Sequence, residues 1–121
     1  MKKILIAEDD KFLASAYRLK LTKAGFEVQI ANDGEELIKI LETFVPDLIL
    51  LDLVMPVMDG FAVLENLRSN SKFKSLPILV ASNLGQKEDI DRASNLGATD
   101  FVVKSDMSLD MLIEKINKFI S

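Results

Sequence analysis

The stretch that most constrains this chain runs from Val45 to Gly60, VPDLILLDLVMPVMDG. Leu48, Ile49, Leu50 and Leu51 form an unbroken apolar run, with Pro46 before it and Pro56 and Gly60 after it. Such a run between turn signals reads as a strand covered on both faces, the kind found in parallel sheets sandwiched by helices. The run ends on Asp52. A carboxylate at the end of a core strand is costly unless a cation meets it, so Asp52 is either a turn cap or part of a polar site. Met55 to Gly60 then breaks the strand and leads into a helix.

The rest of the chain repeats this alternation. Ile4 to Ala7 is a short apolar strand that ends in Glu8-Asp9-Asp10. A helical pattern follows from about Asp10 to Ala24, with Leu13, Tyr17, Leu21 and Ala24 on one face, and Gly25 stops it. Phe26 to Ala31 alternates apolar and polar residues as an edge strand does. Asn32-Asp33-Gly34 starts a helix whose buried face is Leu37, Ile38, Leu41 and Phe44. After the central strand, Asp47 to Asp52, come a helix from Gly60 to about Asn70, a polar link over Ser69 to Ser75, and a strand from Pro77 to Ser82. The next helix, about Gln86 to Leu96, is the most polar and ends at Gly97. A strand over Asp100 to Lys104 precedes a last helix built on Leu109, Leu112, Ile113, Ile116 and Ile120. Five strands alternating with five helices imply right-handed crossovers and a three-layer α/β domain. With 121 residues and no linker, repeat or low-complexity segment, one domain over 1–121 is expected.

Composition removes several chemistries. There is no cysteine, so disulfides, thiolate metal sites and cysteine nucleophiles are excluded, and no histidine, so a Ser-His triad, a zinc–histidine site and an internal phosphohistidine are excluded too. A net charge of −4 without a basic stripe argues against nucleic acid as the direct ligand. The apolar run after Met1-Lys2-Lys3 is too short for a signal peptide, and no stretch approaches a membrane span of ~20 residues. The expected location is the cytoplasm.

Polar residues fall at strand ends: Glu8 and Asp9 after the first strand, Asp52 after the third, Ser82 after the fourth and Lys104 after the fifth. In an open parallel sheet these ends share one edge, where ligands bind. Three carboxylates in one cleft repel and call for a divalent cation or a raised pKa. Mg²⁺ fits best, because it takes few protein oxygens and shares its other positions with phosphate. Lys104 offers a point charge to a phosphoryl oxygen and Ser82 a hydroxyl. Asp52 then reads as a nucleophile that forms an aspartyl phosphate. Taken singly, Glu8-Asp9-Asp10 would read as a helix cap; the convergence at strand ends favours the site.

At these residues the chain resembles the response-regulator receiver domain of two-component signalling over essentially its whole length. The resemblance rests on Glu8-Asp9, Asp52, the MPVMDG run of Met55 to Gly60, Ser82, Phe101 and Lys104, in that order and spacing. It implies a flavodoxin-like (βα)5 sheet of strand order 2-1-3-4-5. It also implies that Mg²⁺ is held by Asp9, by Glu8 through water, by Asp52 and by the Val54 carbonyl. Asp52 is then the phosphorylation site, and Ser82 and Phe101 form a switch pair that reshapes the surface of the fourth helix, fifth strand and last helix. The implied donor is a histidine kinase or phosphotransfer protein, or a small phosphodonor. The implied output is binding of a downstream protein, from a signalling switch that is not an enzyme beyond slow self-dephosphorylation.

The sequence departs from the family pattern at three places. Ser105 stands where proline usually follows the lysine, so the Lys104–Ser105 peptide is expected to be trans, or cis under strain, a non-proline cis bond costing roughly 3 kcal/mol. Asn83 follows the switch hydroxyl where a small residue is common, and would narrow access to Asp52. Val54 and Leu84 are apolar where polar side chains in some relatives orient the hydrolytic water, which implies a long-lived phosphoryl group. The leading expectation is a stand-alone receiver, with a receiver excised from a longer regulator as its alternative. A scaffold that is no longer phosphorylated is a further reading. An aspartyl-phosphate phosphohydrolase lacks its second acid at Val54, and a dinucleotide or flavin protein would place Glu8-Asp9-Asp10 where a glycine-rich phosphate loop belongs.

Overall fold

The computed structural model describes residues 1–120. Five strands, β1 (Lys3–Ala7), β2 (Glu27–Ala31), β3 (Leu48–Leu51), β4 (Ile78–Ser82) and β5 (Asp100–Val103), pair in parallel in the order β2-β1-β3-β4-β5. The helices are α1 (Lys11–Lys23), α2 (Gly34–Ile40), α3 (Gly60–Arg68), α4 (Lys87–Asn95) and α5 (Leu109–Ile120). The flavodoxin-like α/β fold and the strand order are those expected.

Strand alternation divides the core into two layers. Leu5, Ile49, Leu51, Ile78 and Val80 pack under α2, α3 and α4 with Leu37, Phe61, Leu64, Leu67 and Ala93. Ile4, Ile6, Leu48, Leu50, Leu79 and Ala81 pack under α1 and α5 with Tyr17, Leu21, Leu112 and Ile116. All four residues of β3 are buried, as the apolar run requires, and each such leucine or isoleucine contributes about 2 kcal/mol. On β2 at the edge, Val28 and Ile30 are half-buried while Glu27 and Gln29 are exposed.

Local chemistry sets the helix ends. Asp10, Asp33 and Asp59 cap α1, α2 and α3 by accepting backbone amides of the first turn. Gly25 stops α1 at φ +96, a conformation a side chain would resist. Four details differ from the sequence expectation. Ala24 is the exposed C-cap of α1, its amide donating back to the Lys20 and Leu21 carbonyls, and adds nothing to the buried face. Phe44 is buried from the loop beyond α2, which ends at Ile40. The link after α3 holds a 3-10 turn, Ser71–Phe73, that buries Phe73. Lys104 opens a second 3-10 turn, Lys104–Asp106, and does not extend β5.

Two glycines bring the β3–α3 loop against its neighbours. A Cβ at Gly60 would lie 2.3 Å from the Asp52 carbonyl oxygen and 2.7 Å from Leu53 Cα. A Cβ at Gly34 would lie 2.4 Å from the Met58 carbonyl oxygen, to which the Gly34 amide donates at 3.2 Å. Backbone atoms cannot yield to a methyl group as a flexible side chain can. Gly60→Ala is therefore expected to destabilise the protein by about 1–3 kcal/mol, read as a lower urea midpoint. An unchanged midpoint would show that the loop tolerates displacement.

Candidate functional site

β1, β3, β4 and β5 run parallel in near-level register: Ala7 pairs with Leu51, Leu51 with Val80 and Val80 with Phe101. The residues just past these positions therefore meet on one edge. The Glu8 amide donates to the Ala31 carbonyl at 3.1 Å and the Asp52 amide to the Ala7 carbonyl at 3.0 Å, so the backbone ladder holds both acids as rigidly as the strands. Glu8, Asp9, Asp10, Asp52, Val54, Ser82, Asn83, Leu84 and Lys104 line a cavity of about 330 Å³ there. β2, at the edge of the sheet, contributes nothing to its wall.

Lys104 organises the floor. Its Nζ donates to Asp52 Oδ2 at 3.0 Å and also to Glu8 Oε1. Glu8, Asp52 and Ser82 are all buried, so the ammonium meets two carboxylates that water scarcely reaches. The remaining oxygens are also held: Asp52 Oδ1 accepts from the Val54 amide at 3.3 Å, and Glu8 Oε2 accepts from the Asp10 amide at 3.1 Å. Burial raises the Glu8 pKa and the Asp52 charge adds to the rise, outweighing Lys104 and the Asp10 amide. For Lys104, burial disfavours the ammonium, but its hydrogen bonds to Glu8 and Asp52 win and its pKa is raised. The sole tyrosine, Tyr17, lies in the core below, where burial and the charges of Glu8, Asp52 and Asp10 raise its pKa.

The acidic triplet divides its labour. Asp10 caps α1 through Oδ1, which accepts from Phe12 at 3.0 Å and Leu13 at 3.1 Å. Glu8 turns to Lys104, and Asp9 is exposed on the wall. Carboxylate oxygens of Glu8, Asp9 and Asp52 lie within 4.8 Å of one another. An all-oxygen donor set of this kind fits a hard divalent cation such as Mg²⁺. Val54 lines the same cavity.

Ser82 Oγ accepts from the Leu84 amide at 3.3 Å, which ties the hydroxyl to the loop entering α4. Phe101 is half-buried and pairs in register with Val80, two residues short of Ser82. The period-two alternation of β4 thus puts Ser82 and Phe101 on the sheet face that α4 covers. Asn83 is exposed on the cavity wall and does not fill it. Among the described residues no peptide bond is cis, so Lys104–Ser105 is trans.

Two features escaped the sequence. Val57 sits at φ +68, with the Met58 amide donating across it to the Pro56 carbonyl at 2.7 Å. This is a γ-turn on a β-branched residue, a strained backbone of the kind that costs on the order of 1–3 kcal/mol. Pro56 signals a turn, but nothing in the sequence marks its left-handed residue as a valine. Arg68, which donates to the Gly97 carbonyl, and Arg92, whose guanidinium lies over the Phe61 ring, were likewise not marked by any motif.

Comparison with known proteins is consistent with this geometry. A family model described as the response regulator receiver domain matches residues 4–117. The DNA-binding dual master transcriptional regulator RpaA of Synechocystis is 36% identical over 104 residues, covering 86% of this chain and 43% of that protein. The alkaline phosphatase synthesis transcriptional regulatory protein PhoP of Bacillus subtilis is 36% identical over 103 residues, 85% of this chain and 42% of that one. The chain thus spans about two fifths of the length of these curated relatives. Among solved structures, chemotaxis protein CheY4 of Vibrio cholerae superposes with a TM-score of 0.92 at 29% identity, covering 99% of both chains. The Francisella response regulator 1452 receiver domain gives 0.89 at 30%, covering 98% of this chain and 96% of that one.

The raised Glu8 pKa has a sign. The folded protein keeps this proton at pH values where the unfolded chain has lost it, so stability falls as pH rises from about 4.5 toward the raised value. The Lys104 contribution is complete below its ordinary value of 10.5 and is lost as pH rises through its raised one. In EDTA, Glu8→Gln is expected to lack the Glu8 contribution to this decline, so that its stability falls less, or rises more, than that of wild type as pH increases above about 4.5. Identical slopes for the two proteins as pH rises above about 4.5 would contradict this assignment.

Proposed function

Because this chain belongs to the response regulator receiver domain family, we propose that it is a phosphorylation switch whose acceptor is Asp52. The observation that carries the proposal is the Asp52 carboxylate at the floor of an open cavity, with Oδ2 held by Lys104 at 3.0 Å and Oδ1 by the Val54 amide at 3.3 Å. The chain has no histidine, so the donor is a phosphohistidine on a sensor kinase or phosphotransfer protein, or a small acyl phosphate.

An Asp52 oxygen attacks phosphorus and the phosphorus–nitrogen bond to the donor imidazole breaks. The imidazole nitrogen leaves with that electron pair, and the new bond is an acyl phosphate. Lys104, already beside Asp52, meets one phosphoryl oxygen, and the Ser82 hydroxyl turns to donate to another. Asp9, Asp52 and the Val54 carbonyl, with Glu8 through water, would hold Mg²⁺, which would supply positive charge against the charge on the phosphoryl oxygens. Ser82 and Phe101 act as the switch pair on the sheet face beneath α4, and the output is altered protein binding at the α4–β5–α5 surface. The Synechocystis regulator, whose name includes DNA binding, is about twice as long as this chain. For this chain we propose protein partners, acting in the cytoplasm.

Intact-mass spectrometry after acetyl phosphate and Mg²⁺ tests the acceptor. Wild type is expected to gain one phosphoryl group only with Mg²⁺ present, and Asp52→Asn none. No gain from either acetyl phosphate or a phosphohistidine protein would support the scaffold reading instead. The exposed, apolar Val54 and the half-buried Leu84 lining the cavity offer no polar group to a hydrolytic water. Val54→Asn is therefore expected to shorten the phosphoryl half-life severalfold; a half-life equal to that of wild type would remove the idea.

A further inference from the structure

α4 is thinly anchored: Ala93 is its one buried residue, and its N-cap, Gln86, makes no side-chain capping bond. Two arginines hold the helix against α3. At its far end, Arg68 Nε donates to the Gly97 carbonyl at 2.9 Å and Nη1 to the Phe73 carbonyl at 2.8 Å. Arg68 Nη2 reaches Thr99 Oγ1 at 3.4 Å, and that oxygen accepts from the Ile78 amide at 2.9 Å. The C-terminal end of α4 is therefore tied to α3, to the turn after it and to the start of β4. In mid-helix, the Arg92 guanidinium stands 4.0 Å from the centroid of the Phe61 ring. Phe61 is buried in the first turn of α3, directly after the glycine that packs on the Asp52 backbone. The N-terminal end of α4 is held differently, through the Asn83–Gly85 loop and the Leu84 amide on Ser82 Oγ.

We propose that the Arg92–Phe61 contact is a latch that holds α4 in its unphosphorylated position and so opposes modification of Asp52. The inference rests on the receiver reading, in which the Ser82 hydroxyl turns to the phosphoryl group. Turning it takes the acceptor from the Leu84 amide, and the loop moves. The N-terminal half of α4 moves with the loop, while Arg68 keeps the C-terminal end in place. A cavity of about 150 Å³ between α4 and β5, lined by Ile90, Ala98 and Phe101 among others, gives the helix room to tilt. A cation–π contact fades beyond about 6 Å, so a tilt of roughly 2 Å at Arg92 opens the latch. A contact made in one state only biases the equilibrium toward that state by its own free energy. Removing it tightens binding of any ligand that stabilises the other state.

Titration calorimetry with beryllofluoride, a mimic of the phosphoryl group, in saturating Mg²⁺ tests this. Arg92 is exposed, so Arg92→Ala leaves the core intact. The variant is expected to bind beryllofluoride about two- to fivefold more tightly than wild type. Phe61→Leu should do the same, and the double variant should gain no more than either alone. Equal or weaker affinity in Arg92→Ala overturns the latch, and so does full additivity of the two substitutions. Wild-type protein that does not bind, or binding that survives Asp52→Asn, overturns the receiver reading and the latch with it.

Discussion

One ammonium between two buried carboxylates is the constraint on which the rest of this structure depends. Glu8 and Asp52 end neighbouring strands, and both are removed from water. Two like charges about 4 Å apart at a partly buried site repel by on the order of 4 kcal/mol. Lys104 reaches both and makes the pair tolerable. The same arrangement leaves Asp9 exposed on one open wall of the cavity, where the proposed function places a cation and a phosphoryl group. One ammonium offsets only part of this charge, so the ammonium, the two oriented carboxylates and the Ser82 hydroxyl stand in place on a floor that is still net negative.

The parallel sheet keeps this arrangement in place. Its ladder continues one residue beyond β1 and β3, so Glu8 and Asp52 inherit the rigidity of the core. The loop after Asp52 is pressed from both sides, by α2 at Gly34 and by its own return at Gly60, and it carries backbone strain at Val57. Strain of this kind persists only where the surroundings overdetermine the conformation. Here the surroundings are the Asp52 backbone and the N-terminus of α2.

α4 contrasts with this rigid floor. The other sheet-covering helices bury leucines, isoleucines or aromatic residues, whereas α4 buries one alanine and is held chiefly by polar and cation–π contacts. Such contacts are directional and short in range, so they fix one position and lose their strength on a small displacement. A rigid sheet edge beside a thinly anchored helix is the arrangement that the proposed switch would use.

How much of this was legible in the sequence differs by kind of feature. The apolar run before Asp52, the alternation of strands with helices and the polar residues at strand ends are local patterns, so they fixed the layered architecture and named Glu8, Asp9, Asp52, Ser82 and Lys104. The fold order followed from resemblance and agrees with the pairing observed. Other features depend on distance across the sheet and had no local signature. That Glu8 and Asp52 share one lysine, that Asp10 serves the helix while Glu8 serves the site, and that Phe44 and Phe73 are buried from loops are facts of packing. The arginine contacts belong to the same class, since Arg68 meets Gly97 across 29 residues of chain. Periodicity reports which face of an element is buried; which atoms then touch is set only when the elements dock.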